Sequence, residues 1–125
     1  MSRNLDNYTP EKYEVSKQLT QSELTTTPTS YYSPNDNVET FIPIGGMVIV
    51  NASNAARWFS MWVDDNGTGV VIGNRVEFEK DIGSDATWVN NFEIRMNNSA
   101  GNLSFAAERN SVLTLTINGI ERDIN

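Results

Sequence analysis

The chain of 125 residues contains no cysteine and no histidine. Without cysteine there is no disulfide framework, no thiolate nucleophile and no cysteine zinc site. Without histidine the commonest general base and the commonest metal ligand are gone, which leaves acid–base work to carboxylates, lysines and tyrosines. Basic residues are scarce as well: 9 Lys and Arg stand against 16 Asp and Glu, for a formal net charge of −7. A surface of that sign repels phosphate backbones and anionic lipid, so neither nucleic acid nor membrane is expected as a partner. No apolar run approaches the ~20 residues needed to span a bilayer. The opening residues Met1 to Asp6 lack the apolar core of a secretion signal, which points to a chain made and used in a cytoplasm.

What is present is a turn-rich, β-branched sequence long enough for one domain with one core. Five Asn-x-Ser/Thr triplets, at Asn7, Asn51, Asn66, Asn97 and Asn102, follow from that composition and need no glycosylation. Residues 1–21 stand apart, with no sustained period of 2 or 3.6, and are expected to form an extended N-terminal arm. Thr9-Pro10 is suited to start one helical turn there. Tyr8, Tyr13, Val15 and Leu19 are the arm's apolar groups and its candidate anchors on a neighbouring subunit.

From residue 22 to 125 short strand patterns alternate with turn signals. Strands are expected near Leu24–Pro28, Val38–Ile44, Met47–Asn51, Arg57–Val63, Val70–Ile72, Arg75–Ile82, Ala86–Val89, Phe92–Met96, Leu103–Ala107 and Val112–Ile117. Asp64-Asp65-Asn66-Gly67 reads as a hairpin turn and Asn118-Gly119 as a further tight turn. This spacing predicts an all-β fold: a single antiparallel β-sandwich or jelly-roll-like domain.

Strand alternation assigns faces. In Arg57–Val63 it sends Phe59, Met61 and Val63 to the core and Trp58 and Trp62 outward, where two indoles would make an interface or, alternatively, a stacking platform for a sugar. In Arg75–Ile82 it puts Val76, Phe78 and Ile82 opposite Arg75, Glu77, Glu79 and Asp81. The carboxylates Glu77, Glu79 and Asp81 then share one face, which reads as a solvated strand face and not as an acid–base pair. Asp64-Asp65-Asn66-Gly67 lacks the ligand spacing of a calcium loop, and Gly45-Gly46 lacks the lysine and helix of a phosphate loop. No catalytic, cofactor-binding or metal site is expected.

Several segments together carry a resemblance. They are Leu24-Thr25-Thr26, Tyr31-Tyr32-Ser33-Pro34, the apolar strand Val48-Ile49-Val50 with its turn Asn51-Ala52-Ser53-Asn54-Ala55-Ala56, Phe59-Ser60-Met61-Trp62-Val63-Asp64, and Leu113-Thr114-Leu115-Thr116-Ile117-Asn118-Gly119-Ile120-Glu121. In this order they resemble small β-sandwich virion structural proteins of tailed bacteriophages. The chain departs from that pattern at Ile44-Gly45-Gly46-Met47, which has no basic residue, and in the bulk of Trp58 and Trp62. The resemblance implies a capsid decoration or cement protein, or alternatively a neck or tail accessory protein. It implies no catalytic residues. Its implied partners are further copies of itself, as in a trimer, and other virion proteins such as the major capsid protein. Its implied location is the virion, assembled in the host cytoplasm.

Overall fold

A computed structural model describes residues 16–124. Among them the secondary structure is ten strands and one 3-10 turn: β1 Lys17–Glu23, β2 Thr29–Tyr32, β3 Val38–Ile42, β4 Met47–Asn51, β5 Arg57–Asp64, the turn Ile72–Asn74, β6 Arg75–Ile82, β7 Thr87–Val89, β8 Ile94–Met96, β9 Asn102–Ala107 and β10 Leu113–Asp123. All the pairings are antiparallel. One sheet holds β1, β3, β4, β7, β8 and β10, and the other runs β2-β9-β5-β6. The two pack face to face as a β-sandwich.

β10 organises the larger sheet. Its residues Leu113 to Ile117 pair with β4, Thr114 to Gly119 with β1, and the last residues, Ile120 to Asp123, with β3. Its alternation is clean: Leu113, Leu115 and Ile117 are fully buried between half-exposed threonines. Facing them across the sandwich are Phe59 and Met61 of β5 and Leu103 and Phe105 of β9, all fully buried. Phe59 meets Trp88 edge-on with ring centroids 4.9 Å apart and tilts against Phe105 at 6.4 Å. Such a core forms because period-2 sequences bury one face of each sheet against the other.

Four expectations change. β1 begins at Lys17, so the expected arm boundary at residue 21 falls inside a strand of the sandwich. Leu19 packs against this chain's own core instead of waiting for a neighbour. Asn118-Gly119 lies inside β10 and makes no turn. Glycine stands at 119 because strand backbones crowd it: a Cβ there would sit 2.8 Å from the Phe41 carbonyl oxygen. Two expected strands are absent: Val70–Ile72 leads into the 3-10 turn, and Leu24–Pro28 is the connection from β1 to β2.

Two buried polar side chains hold breaks in the sheets. Asn90, fully buried, accepts the Met47 amide at 2.8 Å and donates to the carbonyls of Pro43 at 2.9 Å and Phe92 at 2.6 Å. It thereby bridges the gap between β3 and β4 to the gap between β7 and β8. Asn51, also fully buried, donates to Ala55, Ile82 and Gly83 carbonyls and accepts from Ser53. Each gives hydrogen-bond partners to backbone groups at strand ends and in the connections between strands.

A third polar cluster ties the sheets together. The Tyr32 hydroxyl on β2 donates to Glu121 of β10 and lies 2.6 Å from Thr40 Oγ1 of β3, while Lys17 Nζ of β1 reaches Glu121 at 2.9 Å. Burial, then the neighbouring carboxylate, push the Tyr32 hydroxyl well above its usual range. Burial also pushes Glu121 up, but the bonds from Tyr32 and Lys17 outweigh it and hold the carboxyl below its ordinary value.

Candidate assembly surface

β5 alternates as its sequence predicts: Phe59 and Met61 face the core, and Trp58 and Trp62 lie on the outer face, both half-buried. Val63 is only partly buried and packs on the edge of the core. The neighbours of the two indoles follow from register. Trp58 pairs with Asp81 of β6, and Trp62 pairs with Arg75 of β6 and Ser104 of β9. Polar and charged neighbours therefore flank both rings, and neither is a bare platform.

The greater apolar exposure lies next to them, on β6 and the segment leading into it. Five large apolar side chains within nine residues are open to solvent: Val70, Val71, Ile72, Val76 and Phe78. Ile72 is 77% exposed and Phe78 58%, and the three valines lie between 42% and 45%. The Arg75 guanidinium lies over the Phe78 ring, 3.9 Å from its centroid, which joins Phe78 to the Trp62 end of the sheet.

Local structure explains this exposure. The connection from β5 to β6 spans residues 65–74, longer than the tight hairpin that Asp64-Asp65-Asn66-Gly67 suggests. Asp64, 1% exposed, organises it. Its Oδ1 accepts the amides of Asn66 at 3.2 Å and Thr68 at 3.0 Å, and Oδ2 accepts that of Gly69 at 2.7 Å. Burial pushes the Asp64 carboxyl up, but these amide bonds together outweigh it and hold it below the usual carboxylate range. A carboxylate so fully used by its own loop is a structural brace. Among the described residues no group of three or more His, Cys, Asp or Glu is arranged to hold a metal ion.

β6 itself departs from simple alternation. Glu79 has φ 46°, and the β5 register slips between Phe59 and Met61 and again between Met61 and Trp62. The Glu79 amide leaves the ladder and donates to Ser60 Oγ at 2.9 Å. This is a β-bulge. It overturns two expectations: only Ile82 of the three apolar residues reaches the core, and the carboxylates no longer share a face. Glu77 pairs with inward-facing Met61, Asp81 with outward-facing Trp58, and Glu79 sits in the bulge.

Among the expected interface residues, then, Trp58 and Trp62 lie on the outer face, Leu19 is part of the core margin, and Tyr8, Tyr13 and Val15 lie outside the described residues. The sequence reading missed Val70, Val71 and Ile72. The available signal was Gly69 and Gly73 on either side of a three-residue apolar run, too short to cross a core.

Two surface hollows are small. One of about 200 Å³ is lined by Glu39, Phe41, Arg95, Ile120 and Arg122; the other, about 220 Å³, lies among Val63, Val76, Phe92 and Ile94. Both fall below the ~300 Å³ at which small-molecule pockets begin. In the first, Arg95 stacks on Phe41 at 4.4 Å and Arg122 pairs with Glu39, so its charges are engaged. Comparison with protein-family models, with curated proteins and with solved structures gave no match in any of the three, so the surface is read from its own residues.

Proposed function

We propose that this chain is a structural protein of a tailed-bacteriophage virion, a capsid decoration or cement protein that acts by binding alone. The observation that carries the reading is the run of five exposed apolar side chains from Val70 to Phe78 beside Trp58 and Trp62. An isolated domain has no use for such exposure, whereas a subunit that docks on its own copies or on a major capsid protein does. Burying half of each of five such side chains is worth about 1 kcal/mol apiece before the cost of association. That sum is modest. Repetition on a lattice and anchoring by Tyr8, Tyr13 and Val15 of the preceding segment supply the rest.

The test is made on particles of the encoding phage. Quantitative mass spectrometry of purified virions should find the chain in many copies per particle. The few copies of a single ring would move it to the neck or tail. Its absence would end the reading, as would retention on a glycan array that Trp62→Ala abolishes. Ile72→Lys with Phe78→Lys should keep the melting temperature and lose particle binding. Deletion of residues 1–15 should do the same, and the cut must stop before β1 because Lys17–Glu23 belongs to the sandwich.

A further inference from the structure

Two Asn-Gly pairs occur in the chain, Asn66-Gly67 and Asn118-Gly119, and the fold treats them in opposite ways. The chemistry at issue is internal to the backbone. The amide nitrogen after an asparagine loses its proton to solvent and attacks the side-chain amide carbon. A new C–N bond closes a five-membered imide, and the side-chain nitrogen leaves as ammonia. Water then adds to either imide carbonyl, which yields aspartate or isoaspartate. Glycine in the second position favours the attack because no Cβ obstructs it and its backbone turns freely.

Asn118-Gly119 is locked. The Asn118 amide donates to the Gly46 carbonyl at 2.8 Å, and Gly119 is the register partner of Lys17 on β1. Gly119 is also buried hard against the Phe41 carbonyl. Folding its nitrogen back onto the Asn118 side chain would take residue 118 out of the extended conformation and tear β10 from its neighbours.

Asn66-Gly67 is exposed, in the connection between β5 and β6. Asp64 takes the amides of Asn66, Thr68 and Gly69 and passes over that of Gly67. Among the described residues the Gly67 amide donates no hydrogen bond. The attacking nitrogen therefore has no bond to give up, and its residue already sits at φ 80°. We infer that Asn66 deamidates spontaneously in the folded protein, while Asn118 is protected by β10. The product adds a carboxylate four residues before Val70, and its isoaspartyl form lengthens the backbone inside the Asp64 brace.

The full chain is held at mildly alkaline pH, folded or in denaturing urea, and both sites are followed by peptide mapping for loss of NH₂ in favour of OH. In the folded protein Asn66 should convert at least about tenfold faster than Asn118, since the latter opens only through unfolding. In urea the two rates should converge. Equal rates in the folded state would overturn the inference. So would an Asn66 that stays intact while the unfolded chain converts.

Discussion

Replacing Asn90 by alanine tests whether a single side chain holds the larger sheet together at its break. The substitution removes three hydrogen bonds at once: from the Met47 amide, to the Pro43 carbonyl and to the Phe92 carbonyl. Met47 and position 90 are both fully buried, so solvent does not replace the lost partners freely. An unsatisfied buried polar group costs about 1–3 kcal/mol; the Met47 amide and the Phe92 carbonyl lose this partner while the Pro43 carbonyl keeps the Gly46 amide, so the loss should be roughly 3–5 kcal/mol. For a domain of this size that is a fall of roughly 10–20 °C in melting temperature, and roughly a fifth or more of the ~5–15 kcal/mol that ordinarily separates folded from unfolded. Asn90→Asp sharpens the test. It keeps an oxygen for the Met47 amide but turns the other toward two carbonyls, so the buried carboxyl should titrate above its unfolded value of about 3.9. The native state then binds more protons than the unfolded state between the two values, and this variant should lose stability as pH rises through that window. Urea denaturation of both variants, across pH for the second, gives the answer. A loss below about 1 kcal/mol for the alanine variant, or a flat pH profile for Asn90→Asp, would refute the role assigned to Asn90.

Other positions give independent outcomes. Gly119→Ala places a methyl 2.8 Å from a strand carbonyl that cannot move away, and should cost about 1–3 kcal/mol in chemical denaturation. The lowered carboxyls of Asp64 and Glu121 make the unfolded state the better proton binder. Their stabilisation is therefore complete above the unfolded carboxylate range and lost as pH falls through their folded values, so thermal melts should drop below about pH 4. Asp64→Asn turns an amide donor toward the Gly69 amide, should cost about 2–3 kcal/mol near neutral pH, and should blunt that acid decline. Tyr32→Phe removes the hydroxyl between Glu121 and Thr40; a loss of about 1 kcal/mol near neutral pH is expected, with a shallower acid decline because the Glu121 carboxyl is then held less far below its ordinary value, and an unchanged acid profile would count against the cross-sheet tie.

Much of the sandwich was legible because its strands obey one rule. Leu113, Leu115 and Ile117, or Phe59 and Met61, reach the core wherever period-2 alternation runs unbroken. Local signals misled where tertiary contacts outrank them. Asn118-Gly119 has the composition of a tight turn, yet the glycine is there to let strand backbones approach; composition alone does not separate those two uses. β1 was hidden for a related reason. Lys17-Gln18-Leu19-Thr20-Gln21 carries one apolar residue, and its place is set by hydrogen bonds to β10, nearly a hundred residues away in sequence.

The surface was the least legible part, and the bulge at Glu79 shows why. Alternation in Arg75–Ile82 is intact as a string of letters, so the string assigns Val76 and Phe78 to the core. One residue at positive φ, anchored by Ser60 on the neighbouring strand, displaces the pleat and leaves both open to solvent. Nothing within β6 announces this, because the anchor lies nineteen residues earlier in the chain. The bulge also sits on a sheet edge and carries charge on both sides, features that discourage strand-to-strand addition there. A partner using this region should therefore meet the side chains of Ile72 and Phe78 and leave the β6 backbone unpaired. Hydrogen exchange separates the two modes: docking through side chains protects the complex without slowing the edge amides of β6, whereas an added strand slows every other one of them.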